Sequence, residues 1–169
     1  MNPPFDHCPS CRAASLRFEQ QKLLRCEACV FVYFHNVATA VGAFLRCDDH
    51  VLFAVRGRDP GKGLLDLPGG FGDPGESLEQ TLQRELQEEL GLTIDGARYL
   101  FSFPNTYPYR GITYRTTDAL FEVRLDARPA VQVGDDVAAT RWLRLQDVLL
   151  DDIAFESVRN AVARLQGEG

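Results

Sequence analysis

The segment from Gly69 to Leu92, GGFGDPGESLEQTLQRELQEELGL, constrains the fold more than any other part of the chain. Ser77 and Gln80 match a capping box, in which two side chains satisfy free backbone N–H groups at the start of a helix. Gly91 can adopt the left-handed conformation that ends a helix. The segment therefore predicts a glycine-rich loop followed by a helix from about Ser77 to Gly91.

The predicted helix carries leucines and glutamates on adjoining faces. Its apolar stripe consists of leucines at four-residue spacing: Leu78, Leu82, Leu86 and Leu90. Glu85, Glu88 and Glu89 lie at the edge of this stripe and can converge on one point, where repulsion and partial desolvation raise carboxyl pKa values unless a cation is bound. Oxygen ligands at this density favour Mg2+ or Mn2+. A solvated charged face, with Glu88 paired to Arg84, is the alternative interpretation.

The fixed positions of the segment follow the spacing G-x5-E-x7-R-E-L-x-E-E-x-G-L over 23 residues: Gly70, Glu76, Arg84, Glu85, Leu86, Glu88, Glu89, Gly91 and Leu92. This pattern resembles the Nudix box of the Nudix hydrolase family at every fixed position. The resemblance implies an α/β fold, an α/β/α sandwich with a mixed sheet, whose helix glutamates bind Mg2+ or Mn2+. It also implies an enzyme that hydrolyses the pyrophosphate bond of a nucleoside diphosphate derivative, by attack of metal-activated water on phosphorus.

The same resemblance implies roles for individual residues. It gives catalytic roles to one arginine, which orients the glutamates, and to three metal-binding carboxylates: Arg84, Glu85, Glu88 and Glu89. The backbone at Gly69 is expected to approach the catalytic metal, because a carbonyl comes closest where no Cβ intervenes. The family usually adds a carboxylate from a later loop, and in VGDDVAATRWL the first candidate for this metal ligand is Asp136, with Asp135 second. Family members often have Glu there, which reaches one methylene further.

Four cysteines lie in the first 30 residues, in two C-x2-C pairs separated by 14 residues: Cys8, Cys11, Cys26 and Cys29. Two such pairs suit a tetrahedral zinc site of the ribbon type. Two disulfides are the alternative, which a chain without a secretion signal disfavours. Four thiolates leave no open coordination position, so the expected Zn2+ is structural. We therefore expect a zinc ribbon at residues 1–35 and a Nudix hydrolase domain at residues 36–169.

The segments around the box read mainly as strands. Short apolar or alternating runs predict strands at the following ranges: 37–46, 50–56, 97–103, 113–125 and 138–143. The first two flank the polar turn Asp48-Asp49 and form an expected hairpin. The end of the chain, from Ile153 to Leu165, spaces its apolar residues as on one helix face. A mixed sheet with one internal and one C-terminal helix is typical of an α/β sandwich.

A zinc ribbon directly before a Nudix domain is similar to the layout of the NADH pyrophosphatases, which carry S-Q-P-W-P-F-P-x-S after the box. This chain has SFPNTYPYR, in which Tyr107 stands for the Phe and Asn105 replaces the Trp. Pro108 also lies where ADP-ribose pyrophosphatases tend to have a proline. The expected substrate is therefore NADH or ADP-ribose, with release of AMP. A nucleoside triphosphate pyrophosphohydrolase and a nucleotide-sensing binding module are the alternatives.

Tyrosines and basic residues around this stretch are the candidate substrate contacts. The stretch FPNTYPYRGITYRT reads as a loop entering a strand, and three of its tyrosines offer flat faces for a base: Tyr107, Tyr109 and Tyr114. Arg110 is expected to meet phosphate or ribose. Arg56 and Lys62, near the glycine-rich loop before the box, are further phosphate candidates. Ordinary strand and loop side chains are the alternative interpretation for each of them.

Charge and hydropathy bear on partners. A formal net charge of -6 argues against binding of DNA by bulk electrostatics. The mildly basic segment between the cysteine pairs could contact RNA, although a solvated hairpin is the simpler interpretation. No apolar run reaches the ~20 residues that span a bilayer, and the N-terminus lacks the layout of a signal peptide, so we expect no membrane contact and a cytoplasmic location. Dimers are common in the family, which makes a homodimer the assembly to consider.

Overall fold

The computed structural model describes residues 5–134 and 136–168, so Asp135 lies outside the described residues. Near the N-terminus, β1 (Leu16–Glu19), β2 (Leu23–Cys26) and β3 (Val32–Phe34) form an antiparallel sheet of three strands. The paired basic residues of this hairpin are largely neutralised, because Arg17 pairs with Glu27 and Arg25 with Glu19.

The remaining strands form a second, mixed sheet of six strands. They are β4 (Ala38–Cys47), β5 (His50–Arg56), β6 (Leu65–Asp66), β7 (Arg98–Tyr109), β8 (Ile112–Arg124) and β9 (Val137–Arg144). The order is β6-β5-β4-β8-β7, with β9 paired to β5. Strands β4 and β8 run parallel, while the other pairs are antiparallel. The predicted mixed sheet is therefore confirmed.

Two helices cover opposite faces of this sheet. Helix α1 (Leu78–Leu90) packs its leucines against one apolar cluster, and α2 (Glu156–Gly167) packs against another that contains Phe44, Phe53 and Leu120. The alternation of side chains along β4 explains the division, because neighbouring residues of a strand point to opposite faces. The α/β sandwich is confirmed. Among the described residues, no helix is long and apolar enough to cross a membrane.

The predicted boundaries of α1 agree with the structure. Ser77 is the N-cap, and both bonds of its capping box with Gln80 are present. Gly91 ends the helix in the left-handed conformation at φ 66°. At the other end of the chain, the expected helix face begins too early, because Ile153 and Phe155 precede α2 as extended residues.

The stretch predicted to be a loop entering a strand is instead a long β-hairpin. Strands β7 and β8 pair without interruption from Thr106 to Arg115, and the turn consists of Arg110 and Gly111. Both turn residues have positive φ, 47° and 82°, as a tight hairpin turn matched to the strand twist requires. The loop prediction was wrong because the prolines of β7, which lack an N–H, are tolerated on an edge strand.

Replacing Leu82 by Ala should lower the free energy of unfolding by about 2–5 kcal/mol, because its fully buried side chain fills the interface between α1 and the sheet. Urea unfolding followed by circular dichroism measures the change. Gln83→Ala is the matched control, since Gln83 is exposed on the same helix, and its effect should stay within about 0.5 kcal/mol. Equal effects of the two substitutions would contradict this packing.

Candidate functional site

A cavity of about 630 Å3 lies among the loop that precedes α1, the sheet and the start of α2. This volume falls in the range of small-molecule sites in proteins. One end is acidic and carries part of the glycine-rich box: Gly69, Gly70, Glu85 and Glu89. The rest of the lining includes side chains of β7, β8 and the residues around the start of α2. The cavity is therefore the candidate site.

The two glycines of the loop allow the backbone to lie directly against the sheet and the helix. Gly69 has φ 146°, and a Cβ there would lie 2.1 Å from the carbonyl oxygen of Val41. A Cβ on Gly70 would lie 2.5 Å from Oε1 of Glu85. Larger residues at either position would displace the loop. The backbone N–H of Gly69 is thereby able to donate a 2.9 Å hydrogen bond to Oε2 of Glu89.

Arg84 joins this loop to the helix. Its Nε and Nη2 donate to the two carboxylate oxygens of Glu76 at 2.8 and 3.1 Å. Its Nη1 donates to Glu85 at 2.8 Å and to Glu88 at 3.1 Å, while Nη2 also donates to the carbonyl of Phe71 at 2.9 Å. The hydrogen bonds from Arg84 hold the pKa of Glu76 down at about 2. The guanidinium therefore links the loop before α1 to the helix itself.

The three helix glutamates bond to two different partners. Glu85 and Glu88 both meet Arg84, whereas Glu89 turns toward the backbone of Gly69. Glu88 is 59% exposed and does not line the cavity, while Glu85 and Glu89 do. Glu85 and Glu88 share one guanidinium nitrogen, Nη1 of Arg84, whereas Glu89 accepts its bond from the loop backbone.

Glu89 is the least compensated acid of the cavity. Its pKa is raised to about 8, mainly because the carboxyl group is buried. The nearby carboxylates Glu85, Asp66 and Asp136 contribute to the rise, and the hydrogen bond from Gly69 opposes it. Burial also raises the pKa of Glu85, against the effect of Arg84. Repulsion of this kind is relieved when a cation joins the group. The oxygen donors at this end therefore fit a hard divalent cation such as Mg2+ or Mn2+.

Asp136 lies at the edge of the same acidic end. It lines the cavity, its backbone oxygen accepts a 2.9 Å hydrogen bond from Gly57, and its carboxylate pairs with Arg58 at 2.6 Å. Both side chains of this pair are 63% exposed, so the pair contributes little to stability. Asp136 therefore remains close to Glu89 and accessible from the cavity.

The expected substrate contacts divide into two groups. Four line the cavity: Tyr107, Tyr109, Tyr114 and Arg56. Arg110 and Lys62 are not among the described lining residues; Arg110 sits at the hairpin turn over the ring of Tyr109. Arg56 is already engaged, because it donates to Asp66 at 2.8 Å and to the carbonyl of Pro60 at 2.6 Å and lies over the ring of Phe155.

Sequence analysis missed four acids that line the cavity; Asp59 and Asp73 are exposed, whereas Asp66 and Asp118 are not. Burial raises the pKa of Asp66 to about 6, although Arg56 opposes the rise. Asp118 is buried in the middle of β8 and is followed by Ala119, Leu120 and Phe121. The signal was present in the sequence, because an acidic residue inside an otherwise apolar strand is rarely buried without a specific partner.

The four N-terminal cysteines form a second, separate cluster. Their four sulfur atoms all lie within 4.8 Å of one another. The sulfurs of Cys8 and Cys29, and those of Cys11 and Cys26, are 3.7 Å apart. Disulfide sulfurs are separated by about 2.0 Å, whereas Zn–S bonds of about 2.3 Å in a tetrahedron require sulfurs about 3.8 Å apart. The spacing therefore fits Zn2+ and does not fit disulfides.

Without added Mg2+ or Mn2+, the free energy of unfolding should fall as pH rises from 6 to 9. The folded pKa of Glu89, about 8, exceeds the ordinary value of 4.5, so the folded state binds the extra proton in this window. The contribution is fully present below the unfolded pKa and is lost as pH rises through the folded pKa.

Glu89→Gln should reduce this fall, as measured by urea unfolding at pH 6 and pH 9. Glu79→Gln on the same helix is the control, because hydrogen bonds at the helix start lower the pKa of Glu79 and place its titration below this window. The same pH dependence in Glu89→Gln and the unmodified protein would contradict the assignment.

Solved structures share this fold. A NUDIX hydrolase from Nitrosomonas europaea is 23% identical, with a TM-score of 0.71 over 97% of this chain and 92% of that one, and so shows the fold. The NUDIX domain of NrtR from Shewanella oneidensis, solved with ADP ribose, is 28% identical, with a TM-score of 0.63 over 79% of this chain and 90% of that one.

Curated relatives include two proteins named NAD-capped RNA hydrolase NudC. The one from Enterobacter sp. (strain 638) is 30% identical over 85% of this chain, and the one from Photobacterium profundum is 30% identical over 60% of it. The chain spans 53% and 38% of the lengths of these relatives. The family model for the NUDIX domain matches residues 36–165. The chain therefore belongs to the NUDIX family, as the box predicted.

Proposed function

We propose that this protein is a pyrophosphohydrolase that depends on a divalent cation and cleaves a nucleoside diphosphate derivative of the NADH or ADP-ribose type. The oxygen of a water molecule bonds to one phosphorus and the P–O–P bridge breaks. The protons of that water end on the product phosphates or in solvent. NADH would give AMP and reduced nicotinamide mononucleotide. ADP-ribose would give AMP and ribose 5-phosphate.

The observation that carries this proposal is the composition of one cavity. Its acidic end, with Glu85 and Glu89, adjoins a wall of aromatic side chains formed by Phe71, Tyr107 and Phe155. A dinucleotide needs both features, because the pyrophosphate requires charge neutralisation while the bases and riboses require flat or apolar surface. The names of the curated relatives and the ADP ribose bound to the NrtR domain support the same substrate class.

The residues proposed to hold Mg2+ or Mn2+ are Glu85, Glu89, Asp136 and the backbone of Gly69, with Glu88 at the rim. When bound, such an ion neutralises phosphate charge and lowers the pKa of a coordinated water. Arg84 positions Glu85 and anchors the loop through Glu76. Arg56, fixed by Asp66 at the side of the cavity, is placed to bind a phosphate or ribose oxygen.

We further propose the division into a zinc ribbon at residues 1–35 and a hydrolase domain at residues 36–169. Two separate sheets, β1 to β3 and β4 to β9, support it. The side chain of Arg115 donates to Gln21 at 3.0 Å and joins the ribbon to the hairpin beside the cavity. A structural role for Zn2+ follows from four thiolate ligands, which leave no coordination position for substrate.

A second candidate substrate is the NAD cap of an RNA, because two curated relatives bear the name of that activity. The ion pairs of Arg17 and Arg25 reduce the positive charge that the ribbon would offer to RNA. Parallel assays of NADH, ADP-ribose and a short NAD-capped RNA, with Mg2+ and with Mn2+, distinguish the candidates. Pyrophosphate release from nucleoside triphosphates, or tight binding of every nucleotide without turnover, would contradict the proposed function.

Glu89→Gln should lower kcat on the preferred substrate by orders of magnitude, because it removes a buried anionic ligand while keeping the size of the side chain. AMP release in the presence of Mg2+ or Mn2+ measures the loss, and circular dichroism shows that the fold is kept. Glu79→Gln, an exposed substitution on the same helix, should retain near-normal activity. Near-normal turnover of Glu89→Gln would overturn the assignment of the cation site.

Cys26→Ser should abolish stoichiometric zinc binding and unfold the ribbon locally, because structural zinc supplies much of the folding free energy of such small units. Inductively coupled plasma mass spectrometry measures the zinc content, and limited proteolysis detects the local unfolding. Cys47→Ser is the control, since Cys47 lies in β4 away from the four-cysteine cluster. Full zinc content in Cys26→Ser would contradict the four-cysteine site.

A further inference from the structure

The wall of the cavity formed by β7 and β8 contains a buried acid for which the proposed reaction gives no role. Asp118 is 8% exposed and lies in the middle of β8, between Ala40 of β4 and Phe103 of β7. A carboxylate in such a place destabilises the fold unless hydrogen bonds replace the water it has lost. Asp118 therefore needs a specific explanation.

Three uncharged side chains from three elements donate to Asp118. The hydroxyl of Thr116 on β8 donates to Oδ1, and the hydroxyl of Ser157 on α2 donates to Oδ2 at 2.5 Å. The amide Nδ2 of Asn105 on β7 donates to Oδ2 at 2.9 Å. Thr116 and Ser157 are themselves buried, so these two hydroxyls hold the carboxylate in place. Asn105 is half-buried and lines the cavity.

The bond to Asp118 sets the orientation of the Asn105 amide. A carboxylate accepts hydrogen bonds and does not donate them, so the nitrogen of Asn105, and not its oxygen, must face it. The second N–H and the carbonyl oxygen of the amide then remain available to a ligand in the cavity. The N–H donor and the oxygen acceptor therefore face the cavity in one fixed arrangement. An asparagine without such a partner could exchange their positions by rotating its amide.

The surroundings of Asn105 suit a flat heterocycle. Tyr107 lies two residues further along the same face of β7, and its ring is 5.3 Å from that of Phe71 and 5.6 Å from that of Phe155. On β4, which lies on the other side of β8, Ala38 and Ala40 line the cavity and their small side chains leave space above the sheet. Aromatic walls of this kind stack on a base, and a fixed amide beside them can read its edge.

We propose that Asn105, oriented by Asp118, recognises a 6-aminopurine and discriminates against a 6-oxopurine. The amide oxygen accepts from the exocyclic amine of adenine, and the free N–H donates to the adjacent ring nitrogen, which is the pairing that asparagine makes with adenine elsewhere. Hypoxanthine and guanine present two acceptors along this edge, so the amide oxygen would face the oxygen at position 6, and Asp118 prevents the amide from turning its nitrogen there instead. Asn105 is thus a specificity residue and Asp118 a positioning residue. This inference deepens the proposed function and depends on it for the substrate class.

The test compares ADP-ribose with inosine diphosphate ribose by kcat/KM, and AMP with IMP by calorimetry. The unmodified protein should favour the adenine compound about ten- to a hundredfold, the discrimination expected of one bidentate contact. Asn105→Leu should bring both ratios close to one. Asp118→Asn should also lower them, because residue 118 can then face either side of the amide, whereas a purely structural role for Asp118 would lower stability and leave the ratios unchanged.

Two further variants guard against misfolding and non-specific effects. Thr106→Leu is the matched control, because Thr106 is exposed and points to the other face of β7; its ratios should equal those of the unmodified protein. Ser157→Ala removes one of the two hydroxyls that hold Asp118 and leaves the other, so it should lower the preference for adenine less than Asp118→Asn does. If Asp118→Asn fails to fold, Asn105→Leu alone decides the question.

The outcomes separate this inference from the proposed function. Equal use of the two ADP-ribose analogues, or an unchanged ratio in Asn105→Leu, overturns the role of Asn105 while the hydrolase stands. An effect of Asn105→Leu on NADH but not on ADP-ribose overturns it in favour of nicotinamide recognition. Absence of hydrolysis together with a preference for AMP over IMP that Asn105→Leu removes would leave the base site standing and overturn the proposed function.

Discussion

The ion-pair network of Arg84 is the interaction on which the rest of the site depends. Its guanidinium binds Glu76 and the carbonyl of Phe71 on the loop, and Glu85 and Glu88 on the helix. A lysine could not make these bonds together, because a single ammonium lacks the planar set of five N–H donors. The side chain of Arg84 is 25% exposed, so its attractions are screened less than those of surface pairs. Through this network the loop is fixed against α1.

Fixing the loop also creates an electrostatic asymmetry along one helix. Arg84 compensates Glu76 and Glu85 directly, whereas Glu89, one turn beyond Glu85, receives a single hydrogen bond from Gly69. The pKa of Glu76 is accordingly lowered and that of Glu89 raised, although they belong to the same loop–helix unit. A cation is therefore expected to bind most favourably near Glu89, where other groups offset little of the negative charge.

The sequence was informative where structure is local and less so where it is not. The capping box at Ser77 and the left-handed Gly91 depend on neighbours a few residues away, and both agree with the structure. The bond of Glu89 to Gly69, 20 residues earlier, depends on how the loop folds against the helix, which spacing does not reveal. The role of Asp118 depends on Ser157, 39 residues later, and no periodic pattern connects the two. The hairpin at Arg110 was missed because its prolines resembled those of a loop.

Asp118 and Glu89, two acids of the cavity, differ in how completely the protein satisfies them. Asp118 accepts three hydrogen bonds from side chains of three elements. A cation bound there would gain little binding free energy, because it would have to break these bonds. Glu89 accepts one, from Gly69, among further carboxylates. A fully bonded acid can hold a neighbouring amide in one orientation, while an under-bonded acid favours a cation. The sheet and the loop before α1 place these two kinds of acid in the lining of one cavity, so a single site contains both an under-bonded acid and an amide held in one orientation.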